Sequence, residues 1–203
     1  MNASSTPILM LSAIEIRAAC TGLLLLLRFD AGFVNWFDRS ALGARRSFRL
    51  MLPLLPLAVI RIFLNYDKSP DIGALETGLS IAVFYVLSWI CFPLLLIVIG
   101  RALERENQAI AVLSVYNWFG FALSVATFLI SLAGLFEPLQ AIVDLLLWVV
   151  IIGSLIYEAY LLNIALGIGY FGAGLLSVVD LIIAQSLFVA LLIYPTVICT
   201  PTV

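Results

Sequence analysis

Residues 74–100 read ALETGLSIAVFYVLSWICFPLLLIVIG, an apolar run whose one charge is Glu76. As a helix this stretch rises about 40 Å, more than the roughly 30 Å hydrocarbon core of a bilayer. Working outward, comparable runs cover residues 50–66, 109–133, 138–166 and 174–196. They predict an all-α integral membrane protein, a bundle of five transmembrane helices. Glu137-Pro138 and Ser69-Pro70-Asp71 mark helix starts, with proline at an early helical position, and Gly134 marks a stop. The run at 50–66 is the shortest and contains Pro53, Pro56 and Arg61, which predicts a kink.

Composition agrees with the runs. The chain has 203 residues, 64% of them hydrophobic and 11% charged, and a mean hydropathy of +1.20. A soluble domain carries about a quarter charged residues. The net charge of −2 excludes a nucleic-acid partner, which needs a concentrated basic surface. Histidine is absent, and Cys20, Cys91 and Cys199 are far apart, so no metal or other cofactor is expected. Glu15 and Arg17 interrupt the leading apolar stretch, arguing against a signal peptide. Arg17 in front of Ala18-Ala19-Cys20 likewise argues against a lipid-attachment motif.

Basic residues set the orientation. Of ten Lys and Arg, six fall between Arg17 and Arg49, and Arg101 and Arg105 share their side once five spans are drawn. The excess of positive charge predicts a cytoplasmic N-terminus and an outside C-terminus. Residues 1–48 form a cytoplasmic, interfacial amphipathic segment and 49–203 the transmembrane domain. Residues 7–27 are apolar enough to suggest a sixth span, but each charge costs about 2.5–3.5 kcal/mol at a helix centre, which favours an interfacial helix. Phe33, Trp36 and Phe37, between Asp30, Asp38 and Arg39, read as an aromatic segment lying at headgroup level.

Two constellations stand out. On the third span Asn117, Gly120, Ser124, Thr127, Ser131 and Gly134 recur at three- and four-residue steps, a stripe suited to close helix packing. At the inner level of three spans, Tyr116, Asn117, Glu158 and Asp180 come to one depth, with Arg49, Arg101 and Arg105 near the edge. An acidic residue inside a membrane is paired or functional, so this cluster is a structural pairing or a proton or cation path. Arg61 with Glu76 and Asp144 form a second, structural set toward the other face. Gly167, Gly169 and Gly172 match a dinucleotide fingerprint, yet they lie between two spans and read as a turn. Without histidine, no Ser-His or Cys-His nucleophile can be assembled, and the chain is not expected to be an enzyme.

Asp30, Gly32, Phe37-Asp38 and Ser47-Phe48 precede the first span, Tyr116-Asn117-Trp118 lie in the third, and Asp180 lies in the fifth. With this layout the chain resembles the Yip (Ypt-interacting protein) family and its bacterial relatives. The Asp-Leu-Tyr-Gly-Pro signature of eukaryotic members is missing, so the resemblance implies no small-GTPase partner. It implies a multi-pass inner-membrane protein with no assigned reaction.

The residues thus predict a non-enzymatic scaffold or accessory subunit that organises a membrane complex or the bilayer. Arg39, Arg45, Arg46 and Arg49 would contact anionic headgroups. Its partners would be lipids and other membrane proteins or copies of itself. The alternative is a small proton-linked transporter or channel using Glu158 and Asp180.

Overall fold

A computed structural model describes residues 12–65 and 74–193. Seven helices follow in order: α1 Ala13–Leu27, α2 Ala41–Ser47, α3 Met51–Asn65, α4 Ala74–Ala102, α5 Glu106–Ala133, α6 Gln140–Leu166 and α7 Gly169–Phe188, the last continued by a π turn Val189–Ile193. Among the described residues there is no strand. Four helical stretches are long and apolar enough to cross a membrane: Gly78–Ala102, Glu106–Ala133, Glu137–Leu166 and Gly169–Leu191.

The expected fifth span, residues 50–66, is not among them. Helix α3 has 15 residues, Pro56 among them, and rises about 22 Å. The reason lies in where it starts. The Tyr85 hydroxyl donates to the Met51 carbonyl, and Tyr85 precedes the end of α4 by 17 residues, about 25 Å. Helix α3 therefore begins part-way along the bundle.

What brings the chain to that depth is the N-terminal segment. Helix α1 opens with a capping box: the Ser12 hydroxyl accepts from the Glu15 N–H at 3.1 Å and the Glu15 carboxylate accepts from the Ser12 N–H at 2.9 Å. The charge that made residues 7–27 ambiguous thus sits at a helix start, where the macrodipole favours it. At 15 residues α1 is too short to span. Asp30 caps a 3-10 turn, Ala31–Trp36, and Ser40 caps α2.

The segment is not a free surface layer. Phe33 and Phe37 are buried, and Trp36 alone of the three expected headgroup-level aromatics is well exposed. Phe33, Ala44 and Leu50 belong to one core with Phe92, Leu96, Val112, Leu161 and Leu166. The boundary expected at residue 48 therefore falls inside a continuous packing unit.

Helices α4 to α7 run alternately up and down. The end that holds the N-terminal segment, the α4–α5 loop and the α6–α7 turn is the near end; the α5–α6 turn lies at the far end. At the near end Gly100 lets α4 approach α5, for a Cβ there would collide with the Ala109 methyl.

Candidate functional site

Around the first half of α5, which is buried almost continuously from Ala109 to Phe119, four polar assemblies tie the surrounding elements together. The first contains three of the four residues expected to meet at one depth. The Tyr116 hydroxyl of α5 donates to Asp180 Oδ2 of α7 at 2.7 Å. Glu158 of α6 is 6% exposed, and its carboxyl is close enough to interact electrostatically with that of Asp180. Glu158 Oε1 has no hydrogen-bond partner.

The fourth residue, Asn117, turns away from this cluster. Its Nδ2 donates to Ser47 Oγ at 2.8 Å, and Ser47 in turn donates to the Ala44 carbonyl at 2.7 Å. Successive residues on a helix point about 100° apart, so Tyr116 and Asn117 face different neighbours. Asn117 thereby becomes the second assembly, an α5–α2 tie, fully buried and with Oδ1 unpartnered.

The expected arginine partners of the carboxyls are elsewhere. Arg101 pairs with Glu106 at 2.8 Å on the surface. Arg105 Nη1 donates to the Leu166 carbonyl at 2.9 Å and also to the Gly167 carbonyl. This third assembly places a cation where the macrodipole of α6 ends and satisfies orphan carbonyls. Gly167, with φ of 69°, provides the left-handed cap there, so the glycine motif serves the turn between α6 and α7. Among the described residues Arg49 makes no ion pair.

An aromatic clasp holding α1 to α6 is the fourth assembly. The Tyr160 hydroxyl donates to the Phe29 carbonyl at 2.6 Å and the Tyr157 hydroxyl to the Leu27 carbonyl at 3.2 Å. The Phe29 ring stacks on Tyr157 at 4.8 Å and meets Tyr160 edge-on at 5.2 Å. Phe29 has φ of 55°, an uncommon conformation for a bulky residue, held by the three of these contacts that it makes. Sequence reasoning passed over Tyr157, Tyr160, Ser47 and Arg105 in these roles. Nothing local in the sequence says that a hydroxyl will reach a carbonyl 130 residues away.

The remaining expected sites separate. Arg39 and Arg45 are exposed and Arg49 is half-buried. Arg46 turns inward and meets Glu15 at 3.4 Å. The small-residue stripe does not pack as expected within one chain: Ser124 is exposed, and a Cβ on Gly120 would meet nothing within 4 Å. Thr127 and Ser131 donate to the α5 carbonyls of Ser124 and Thr127. Asp144 accepts from Gln140 at 3.0 Å, while the side chains of Arg61 and Glu76 lie outside the described residues.

Outside the apolar spans, the Asp38 carboxyl accepts from the Ser40 N–H at 3.0 Å. The Ser40 hydroxyl and N–H, with a smaller contribution from the Arg46 charge, hold it below the ordinary aspartate value of 3.8 despite partial burial. Among the described residues no group of three or more His, Cys, Asp or Glu could hold a metal ion.

Comparison with family models, curated proteins and solved structures finds no match. The likeness to the Yip family therefore rests on the quoted residues.

Proposed function

We propose that this chain is a non-enzymatic membrane scaffold or accessory subunit, presenting a rigid basic face to anionic headgroups and to neighbouring membrane proteins. One observation carries this reading: the N-terminal segment is locked to the bundle through Ser47–Asn117 and the tyrosine clasp, while Arg39 and Arg45 stay exposed beside Trp36 and Leu42. A preorganised face loses less entropy on binding than a flexible tail.

Depth supports it. A hydrocarbon core takes about 20 helical residues. Counted from the far ends of α5 and α6, Ala133 and Gln140, its near boundary passes close to residue 113 and residue 160. The tyrosine clasp then lies at the interface, where tyrosine is favoured. The basic near end would be cytoplasmic, in a bacterial inner membrane, as the Yip resemblance implies.

The test is retention of lipid by the full-length protein in nanodiscs with and without phosphatidylglycerol. Each arginine contributes roughly 1 kcal/mol near an anionic surface, so the triple variant Arg39→Gln, Arg45→Gln, Arg49→Gln should lose its preference for anionic lipid by more than about tenfold. Equal retention by both proteins defeats the reading. Affinity purification in mild detergent then tests for protein partners.

A second reading, a proton-linked carrier, is favoured by the enclosed and unpartnered Glu158 Oε1. It requires pH-dependent flux in proteoliposomes that Glu158→Gln abolishes. The Tyr116 bond to Asp180 supports the structural role instead.

A further inference from the structure

Where α1, the turn before α2, and α2 itself fold against α5, they form an open-sided cavity of about 170 Å³. Its wall has a definite chemistry. Glu15 and Asp38 face it together with Arg46, so two carboxylates against one guanidinium leave one negative charge in excess. The pairing of Arg46 with Glu15 is long, 3.4 Å, and the Arg46 side chain remains 41% exposed. Its guanidinium therefore keeps donors for another acceptor. Asp38 stays ionised through the neutral range, for the Ser40 bonds and the Arg46 charge favour its carboxylate.

Aromatic side chains also line it: Trp36 and Phe37 from the N-terminal segment and Trp118 from α5. Carboxylates next to aromatic rings attract an organic ammonium group, by charge and by the negative face of each ring. A neighbouring guanidinium suits phosphate oxygens. We propose that this cavity binds the zwitterionic headgroup of a phospholipid, the ammonium group against Glu15, Asp38 and the rings, the phosphate on Arg46.

This site is distinct from the outward Arg39 and Arg45 face and selects the opposite way. A lipid with an anionic headgroup and no ammonium group meets the excess negative charge of the cavity and gains nothing from the rings. A choline and an ethanolamine headgroup share the chemistry, differing in bulk and in N–H donors.

The experiment uses the full-length protein in a neutral detergent, titrated with dihexanoyl phosphatidylcholine, phosphatidylethanolamine or phosphatidylglycerol. Bound lipid is counted by native mass spectrometry and melting temperature is followed in parallel. Saturable one-to-one binding of at least one ammonium-bearing lipid is expected, with phosphatidylglycerol at least tenfold weaker. Glu15→Gln and Asp38→Asn should each weaken that binding about fivefold or more, consistent with a cation site of this kind. Both replacements keep the local hydrogen bonds, since glutamine serves in a capping box and asparagine in the same short turn. Their melting temperatures without lipid therefore report whether the fold is intact. Arg28→Gln, exposed and away from the cavity, should bind as the unmodified protein does. Equal binding of phosphatidylglycerol, an absence of saturable binding, or unchanged affinity in folded Glu15→Gln and Asp38→Asn overturns the assignment. Loss of anionic-lipid preference in the arginine triple variant is read separately and leaves this site untouched.

Discussion

At the near end of the bundle Phe33, Phe92, Val112, Leu161 and Leu166 are at most 1% exposed, whereas at the far end Leu135, Phe136, Leu145 and Trp148 are each more than half exposed. Large apolar side chains are present at both ends. They differ in coverage: the N-terminal segment wraps the near half of α5, and nothing comparable surrounds the far halves of α6 and α7 among the described residues. In lipid, apolar surface by itself does not draw helices together, so packing and hydrogen bonds decide which parts close. The polar ties Ser47–Asn117, Tyr116–Asp180 and Arg105–Leu166 are all found toward the near end. The exposed Arg39 and Arg45 belong to the segment that these ties hold in place.

The contrast can be broken most directly by truncating one leucine at each end. Leu161→Ala should cost about 2–5 kcal/mol of stability, as core truncations do. Leu145→Ala, facing outward, should stay within about 0.5 kcal/mol. Unfolding in mixed detergent micelles measures both, and equal losses would mean that the near end is not the packed one.

Next in size is the buried tie between α2 and α5. Ser47→Ala removes the acceptor for Asn117 and leaves a second buried amide atom unpaired, a loss of about 1–3 kcal/mol. In the double variant with Asn117→Ala the loss should be less than the sum of the two singles. Exact additivity in that cycle would show that the hydrogen bond contributes nothing.

Arg105 holds the end of α6, and Arg105→Gln should lower stability by about 1–2 kcal/mol, the range for a cation at a helix C-terminus. Hydrogen exchange should quicken first at Leu166 and Gly167. Exchange that quickens only at the far end contradicts the clamp.

The smallest effect is a pH slope. The Asp38 carboxyl titrates below 3.8 in the folded protein, so its contribution to stability is complete above 3.8 and is lost as pH falls through the lower, folded-state value. Melting temperature followed between pH 5 and pH 2.5 should drop less in Asp38→Asn than in the unmodified protein. Parallel curves would assign the acid sensitivity to other groups.

Much of the architecture was legible before any coordinates. Residues 74–100, 109–133 and 138–166 predict helices that the structure places at Ala74–Ala102, Glu106–Ala133 and Gln140–Leu166, because a long, predominantly apolar run in a membrane has few other stable states. Gly134 and the Gly167 motif were readable as stops. Residues 50–66 read as a span but form a 15-residue helix, Met51–Asn65, because hydropathy reports what a segment can tolerate and not the depth at which it starts. Phe33 and Phe37 were misplaced for a similar reason, since an aromatic that anchors in headgroups and one that packs on α5 look alike in sequence.

Chain composition and the placing of ten basic residues determined by themselves that the protein is helical and apolar, with its positive charge gathered at one end. That follows from the cost of burying charge and unpaired backbone in hydrocarbon, which is a local property of each segment. Only tertiary structure decided that Asn117 reaches Ser47 and not Asp180, that Arg46 turns inward while Arg39 and Arg45 do not, and that a cavity opens between α1, α2 and α5. Those outcomes depend on how helices rotate about their axes when they meet, a choice made by contacts between residues far apart in the chain.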